Sequence, residues 1–149
     1  MAHDSKTKEK MKTSSGVLIT FNNKILLCHP TNASHISTYS PPKGLINEGE
    51  NLIDAAIREC FEETSIKLDK SLIGDRVYVP YYKGSKIYKE VFLFKVKINS
   101  LSEIGLENLI IDKNKLQLDE VDWAGFIDKK SAENKIFHRF KHILHEILD

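Results

Sequence analysis

Cysteine is scarce: the 149 residues include two, Cys28 and Cys60. Neither belongs to a CxxC pair or a Cys/His ligand pattern, which removes structural zinc and a disulfide framework from consideration. Long apolar runs are missing as well. The longest, such as residues 16–19 and 91–94, are far too short to span a bilayer, so no membrane is implied as a partner. Charge of one sign is also lacking: 22 Lys and Arg stand against 21 Asp and Glu, a formal charge of +1. That balance argues against a polyanionic tail protein and gives no general reason to expect affinity for DNA. Residues 1–13 carry charge and no apolar stretch of the secretory kind, from which a reduced, cytoplasmic setting is expected.

The length suits one domain, since single domains cluster at about 100–150 residues. With 41% hydrophobic and 29% charged residues the chain can bury a core without covalent staples. Residues 1–15, with Lys6, Lys8, Lys10 and Lys12 and little to bury, read as a flexible basic tail ahead of one domain at 16–149. Residues 16–21 and 24–28 flank Asn22-Asn23, a hairpin signal. A polar loop over 29–40 then ends in Pro41-Pro42-Lys43-Gly44. Residues 51–65 predict the first helix, with Asn51 as N-cap and Asp54 in the first turn. Strands are expected at 77–82 and 88–98 around Lys83-Gly84-Ser85-Lys86, and at 121–127, which contains Trp123. Residues 101–115 fit no single pattern. Over 131–148, Ile136, Phe137, Phe140, Ile143, Leu144, Ile147 and Leu148 recur at helical spacing and predict one packed C-terminal helix. The class is a mixed α/β domain.

The most informative stretch is Gly44, Glu50 six residues on, then seven residues, then Arg58-Glu59-Cys60-Phe61-Glu62-Glu63. On a helix, Ile53, Ala56, Ile57, Cys60 and Thr64 share one arc. Glu59, Glu62 and Glu63 share another, because i, i+3 and i+4 are surface neighbours. Like charges so placed cost a helix about 0.2–0.5 kcal/mol per pair unless a cation sits between them. Several carboxylates without Cys or His suit a hard ion, Mg²⁺ or Mn²⁺, which is commonly shared with substrate phosphates. Three glutamates alone fit a solvated acidic face better; the preceding loop reverses that weighting.

Gly44, Glu50, Arg58, Glu59, Glu62 and Glu63 together resemble the Nudix box, G-x5-E-x7-R-E-U-x-E-E-x-G-U with U aliphatic. Cys60 takes the first U and Ile66 the last. One position departs: Ser65 stands at the box glycine, where the helix ends and a positive φ is often wanted. A serine held left-handed there should cost about 1 kcal/mol, a matter of stability more than of chemistry. The resemblance implies an α/β/α sandwich with a mixed β-sheet and a loop–helix–loop motif. It implies a metal-dependent hydrolase of nucleoside diphosphates linked to another group. By the same pattern Mg²⁺ or Mn²⁺ would be held by Glu59, Glu62 and Glu63 with the Gly44 carbonyl assisting, and Glu50 with Arg58 would form a structural ion pair. A further acid from a later loop often joins such a site, and Glu120, or Asp119 beside it, is the candidate. The catalytic base stays open between Glu59, Glu63 and Glu120.

Tyr39-Ser40-Pro41-Pro42-Lys43-Gly44 is most similar to the Trp-Thr-Pro-Pro-Lys-Gly stretch of the asymmetric diadenosine tetraphosphate (Ap4A) hydrolases, with Tyr39 and Ser40 replacing Trp and Thr. That branch implies a small nucleotide substrate, Ap4A, split to ATP and AMP. Lys43 and Ser40 would then stand at the substrate, and Tyr82 would stack on adenine, with Tyr81 and Tyr88 as alternates; such stacking contributes about 1–3 kcal/mol. A rival within enzymes removes pyrophosphate from the 5′ end of RNA, with the lysine tail holding the strand. ADP-ribose, NADH and a diphosphoinositol polyphosphate are further alternatives, the last using Lys83, Lys86 and Lys89. A catalytically silent nucleotide-binding module is the reading from another class, though such modules usually lose a box glutamate and all are present here. His35, His138, His142 and His145 have no ligand pattern, and Trp123 reads as core.

Overall fold

Two asparagines set the first turn. Asn22 and Asn23 both take positive φ, 51° and 59°, the left-handed geometry of a tight two-residue hairpin. They join strand β1 (Lys12–Phe21) to β2 (Lys24–Pro30). The computed structural model describes residues 11–33 and 37–149. The remaining strands are β3 (Lys43–Leu45), β4 (Arg76–Lys83), β5 (Lys86–Ile98) and β6 (Val121–Asp128). They form one sheet in the order β4-β5-β1-β2-β6, with β3 paired to β1. β1 and β5 run parallel, and every other pairing is antiparallel.

β1 begins at Lys12, so residues 12–15, expected in the tail, belong to the sheet. Their register runs from Lys12 opposite Lys89 on β5, and Ser14 and Ser15 are buried. Polar side chains are tolerated there because they find partners: the Thr13 hydroxyl donates to Glu90 at 2.9 Å and that of Ser15 to the Leu52 carbonyl at 2.6 Å. Residues 1–10 of the expected tail, and His35, lie outside the described residues.

Helix α1 (Leu52–Thr64) covers one face of the sheet. Ala56 and Cys60 pack there on Val17, Ile19, Leu26 and Phe94. Helices α2 (Lys129–Lys135) and α3 (Lys141–Ile147) cover the other, setting Ala132, Ile143 and Leu144 against Leu18, Ile25, Leu27 and Leu93. The result is the expected α/β/α sandwich with a mixed sheet. Both cysteines are buried free thiols. Among the described residues, no helix is long and apolar enough to cross a membrane.

The expected single C-terminal helix is interrupted. Ile136 is extended, with ψ at 143°, and forms a parallel bridge with Tyr39. The Tyr39 N–H donates to the Lys135 carbonyl at 2.9 Å, and the Phe137 N–H to that of Tyr39 at 2.8 Å. A 3₁₀ turn, His138–Phe140, then leads into α3. Apolar spacing continues across the break because the segments on either side of it pack on the same face, so periodicity could not register it. Residues 101–115, ambiguous in sequence, hold two 3₁₀ turns, Leu101–Ile104 and Lys113–Lys115, and a bridge from Ile110 to Gly125 on β6.

The first helix starts as expected. The Asn51 side chain accepts from the Asp54 N–H at 2.8 Å, filling one of the donors that a helix N-terminus leaves open. Asn51→Ala should lower stability by about 1 kcal/mol, read as a shift of the urea midpoint with unchanged slope. An unmoved midpoint would show that the cap contributes nothing.

Candidate active site

Two glycines let the loop before β3 press onto the sheet and the helix. A Cβ on Gly16 would overlap the Pro42 carbonyl and the Lys43 side chain, and one on Gly44 would overlap the Glu59 carboxylate. The Val17 N–H donates to the Pro42 carbonyl at 3.1 Å. Glycine is required at both places by close approach, and the approach seats Lys43 and Gly44 beside the second half of α1.

Arg58 ties the next turn of the loop to the same helix. Its Nε and one terminal nitrogen grip both oxygens of Glu50 at 2.9 and 3.0 Å, and that second nitrogen also donates to the Leu45 carbonyl at 3.0 Å. The other terminal nitrogen reaches Glu59 at 3.0 Å and Glu62 at 3.1 Å. The Arg58 hydrogen bonds, with the Asn47 N–H, hold the Glu50 carboxyl below its ordinary range. The bidentate pairing expected between Glu50 and Arg58 is therefore present.

The carboxylates occupy different surroundings. Glu62 is on the outer side, its side chain 43% exposed and held by Arg58. Glu59 lies against Gly44, and burial pushes its carboxyl up. Glu63 is the most perturbed: burial first, then the charge of Glu59 and, more weakly, of Glu120, push it up to about 8 despite Lys43 nearby. The Lys43 backbone N–H donates to it. Burial, then the charge of Lys89, lowers the Lys43 ammonium from its usual value. Glu63, Glu120, Lys43 and Ser40 share a cleft of about 210 Å³ with Cys28, Pro30 and Val121. Asp119 does not line it. Ser40 is fixed there by reciprocal backbone bonds with Cys28, at 2.7 and 3.0 Å. A larger, apolar cavity of about 670 Å³, lined by Leu52, Ile53, Ile73 and Phe94, sits at the other end of α1 and contains none of Glu59, Glu63 and Glu120.

Rings and cations stand beyond Lys43, whose ammonium lies 5.7 Å from the Phe140 ring. Tyr81 packs on Phe137 and Phe140, with the Arg139 guanidinium 4.5 Å and the Lys89 ammonium 5.2 Å from its ring centre. Tyr88 meets Tyr81 edge-on at 6.2 Å and remains 39% exposed. Tyr82, the first choice for stacking, is set apart from this group. Along β4, Val77, Val79 and Tyr81 face α2 and α3, and alternation places Tyr82 on the side of Tyr78, whose ring packs on Phe92 on the α1 side of the sheet. Arg139 was missed because the unbroken apolar period hid the turn that carries it. His29 also went unnoticed: it bonds Asp122 at 2.6 Å and, together with Trp123, braces Tyr39.

Among the described residues, no three acidic, histidine or cysteine groups converge to grip an ion as they stand, and Arg58 takes one oxygen each from Glu59 and Glu62. The chemistry of the donors nonetheless fits a hard divalent cation. Glu63 and Glu120 line the cleft and Glu59 adds its charge, and the burial and like-charge repulsion that lift Glu63 are what such a cation would offset. Glu59, Glu62, Glu63 and Glu120 are the side chains that could hold it.

The fold is a three-layer α/β domain whose first helix presents carboxylates beside the loop that carries Lys43. The NUDIX domain pattern matches residues 10–142, and the chain belongs to that family, whose hydrolases generally depend on Mg²⁺ or Mn²⁺. The mRNA-decapping protein g5R of African swine fever virus (isolate Pig/Kenya/KEN-50/1950) is 28% identical over 137 residues, covering 85% of this chain and 56% of that protein. The chain thus spans about half the length of the curated relatives it matches. A C. elegans Ap4A hydrolase binary complex superposes with a TM-score of 0.67 at 21% identity, covering 91% of this chain and 94% of that one. A Francisella tularensis bifunctional NMN adenylyltransferase/ADP ribose pyrophosphatase, complexed with AMP and a manganese ion, gives 0.71 at 16% identity, covering 94% and 42%.

The raised Glu63 carboxyl has a direct consequence for stability. Without metal the folded protein keeps this proton until about pH 8, whereas the unfolded chain loses it near 4.5. Its contribution is therefore complete below the unfolded value and declines as pH rises through that window. Glu63→Gln, neutral throughout, should raise the Tm of metal-free protein at about pH 8.5 and match the parent at about pH 5. A Tm equal to or below the parent's at the higher pH would contradict the buried-charge assignment.

Proposed function

We propose that this Nudix hydrolase cleaves dinucleoside polyphosphates, splitting Ap4A-like substrates to ATP and AMP with Mg²⁺ or Mn²⁺, in a reduced, cytoplasmic setting. The observation that carries the reading is the neighbourhood of the cleft: Lys43 lines it with Glu63 and Glu120, and beyond Lys43 the buried rings of Phe140 and Tyr81 hold Lys89, Arg139 and the exposed ring of Tyr88 together. A polyphosphate needs cations along its length and a nucleoside needs a flat apolar surface, and here the two adjoin. The Tyr-Ser-Pro-Pro-Lys-Gly loop and the size match to the C. elegans Ap4A hydrolase support the same choice.

The bound metal would supply charge neutralisation and a more acidic water. Lys43, Lys89 and Arg139 draw the phosphates in and balance their charge, and Ser40 stands at the cleft where the reacting phosphate would lie. The base that takes the proton from water is drawn from Glu59, Glu63 and Glu120. Arg58 and Glu50 keep the loop and the helix in one arrangement. Tyr88, exposed beside Tyr81, is the ring available to a base. Tyr88→Ala should therefore raise KM for Ap4A more than for inorganic tripolyphosphate, with Tyr82→Ala changing neither; equal effects of Tyr88→Ala on both substrates would remove the stacking role.

A second reading, hydrolysis at the 5′ end of RNA, is favoured by the decapping relatives and by the lysines at 83, 86 and 89 on the β4–β5 hairpin. Product analysis with Mg²⁺ decides between them, using Ap4A, Ap3A, ADP-ribose, NADH, a diphosphoinositol, and capped and 5′-triphosphorylated RNA. ATP plus AMP at the highest kcat/KM is the expected outcome, and Glu62→Gln and Glu63→Gln should each lower kcat by about a hundredfold or more. Preference for RNA would transfer the function to RNA 5′ ends. No turnover of any of these substrates by folded, metal-loaded protein would leave a silent binding module.

A further inference from the structure

Ser65, at the position where the Nudix box has glycine, makes contacts that glycine could not. Its φ is 65° and it ends α1 in the left-handed conformation, its N–H donating to the Phe61 carbonyl at 2.8 Å. A non-glycine residue is strained there. The hydroxyl, however, donates to the Lys115 carbonyl at 2.5 Å, across 50 residues of chain. Lys115 opens the segment that ends in Glu120. Two residues on, the Gln117 N–H donates to the carbonyl of Glu63 itself at 3.2 Å, and the Gln117 carbonyl accepts the N–H groups of Glu120 and Val121, both at 2.8 Å. On the far side, the Glu120 carbonyl accepts from the Thr31 N–H at 3.0 Å, and the Thr31 hydroxyl donates to the Leu118 carbonyl at 2.7 Å.

We infer that Ser65 is a positioning residue: its hydroxyl ties the 115–120 loop to the end of α1 and so sets Glu120 opposite Glu63. The left-handed strain and the tether oppose each other at one residue. A glycine would relieve the strain and remove the side-chain tether, leaving the backbone bond from Gln117 to Glu63 to hold the loop alone at that end. The inference rests on the proposed role of Glu120 in the cleft, and it concerns placement of that carboxylate, with no contact between Ser65 and substrate.

Two substitutions separate strain from tether. Ser65→Gly removes both, and Ser65→Ala removes the tether and keeps the strain. Both should lower kcat by about two- to twelvefold, the range of one hydrogen bond, with KM nearly unchanged. Their Tm values should diverge, Ser65→Gly at or above that of Ser65→Ala. Hydrogen exchange of the Gln117, Glu120 and Val121 amides in metal-free protein should accelerate in both by a similar factor, with exchange in the β1–β5 pair unchanged in Ser65→Gly. In a Glu120→Gln background the effect of Ser65→Gly on kcat should vanish. Unchanged exchange at those three amides in Ser65→Gly, or a kcat that merely follows Tm across the two variants, would overturn the tether. A Glu120→Gln enzyme with parental kcat would overturn the Glu120 reading itself, and the exchange data would report on the tether regardless.

Discussion

The arrangement depends on one guanidinium. Arg58 engages two oxygens of Glu50, the Leu45 carbonyl, and one oxygen each of Glu59 and Glu62. Arginine's planar fork fits this demand, and a lysine could not. Charge-assisted, bidentate and partly buried, the pair with Glu50 belongs among the stronger surface contacts rather than the negligible ones. Without it, the loop from Leu45 to Glu50 would lose its side-chain tie to α1, and the acidic face of that helix would repel itself unrelieved. The same cation restrains Glu59 and Glu62 on one side while Glu63 and Glu120 face the cleft on the other.

Around that anchor the architecture divides labour between the faces of the sheet. The α1 face carries the carboxylates and the tight glycine contacts at Gly16 and Gly44. The opposite face supplies rings and cations, because the chain breaks its last helical stretch at Ile136 to pair with Tyr39. That break turns Phe137, Arg139 and Phe140 toward Tyr81. The loop through Ser40 and Lys43 runs between the two faces and joins them, so one short segment touches both the carboxylates and the aromatic wall.

How much of this was legible depended on whether the cause was local. The glutamate stripe, the Asn51 cap and the Asn22-Asn23 turn follow from spacing and from the conformational preferences of single residues, and each stands where expected. The left-handed end of α1 at Ser65 was legible too, but not the carbonyl its hydroxyl would find 50 residues away. The start of β1 looked like tail because Thr13, Ser14 and Ser15 are polar; Thr13 and Ser15 bond partners 77 and 37 residues distant. Alternation along β4 puts Tyr81 with Val77 and Val79 and leaves Tyr82 on the other face, while Tyr88 is the unpaired residue of a bulge in β5 that spacing cannot foresee. The helix break at Ile136 was hidden for the opposite reason, since the apolar rhythm continues across it.

The buried carboxylates around Glu63 are proposed to form a site for a divalent cation. Titrating Mn²⁺ into the protein at neutral pH in weak buffer, with free Mn²⁺ and pH followed together, tests it most directly. Binding should release about one proton per ion, because Glu63 must ionise to take part, and Glu63→Gln should weaken binding and abolish the release. Binding without proton release, or no binding at millimolar Mn²⁺, would contradict the account.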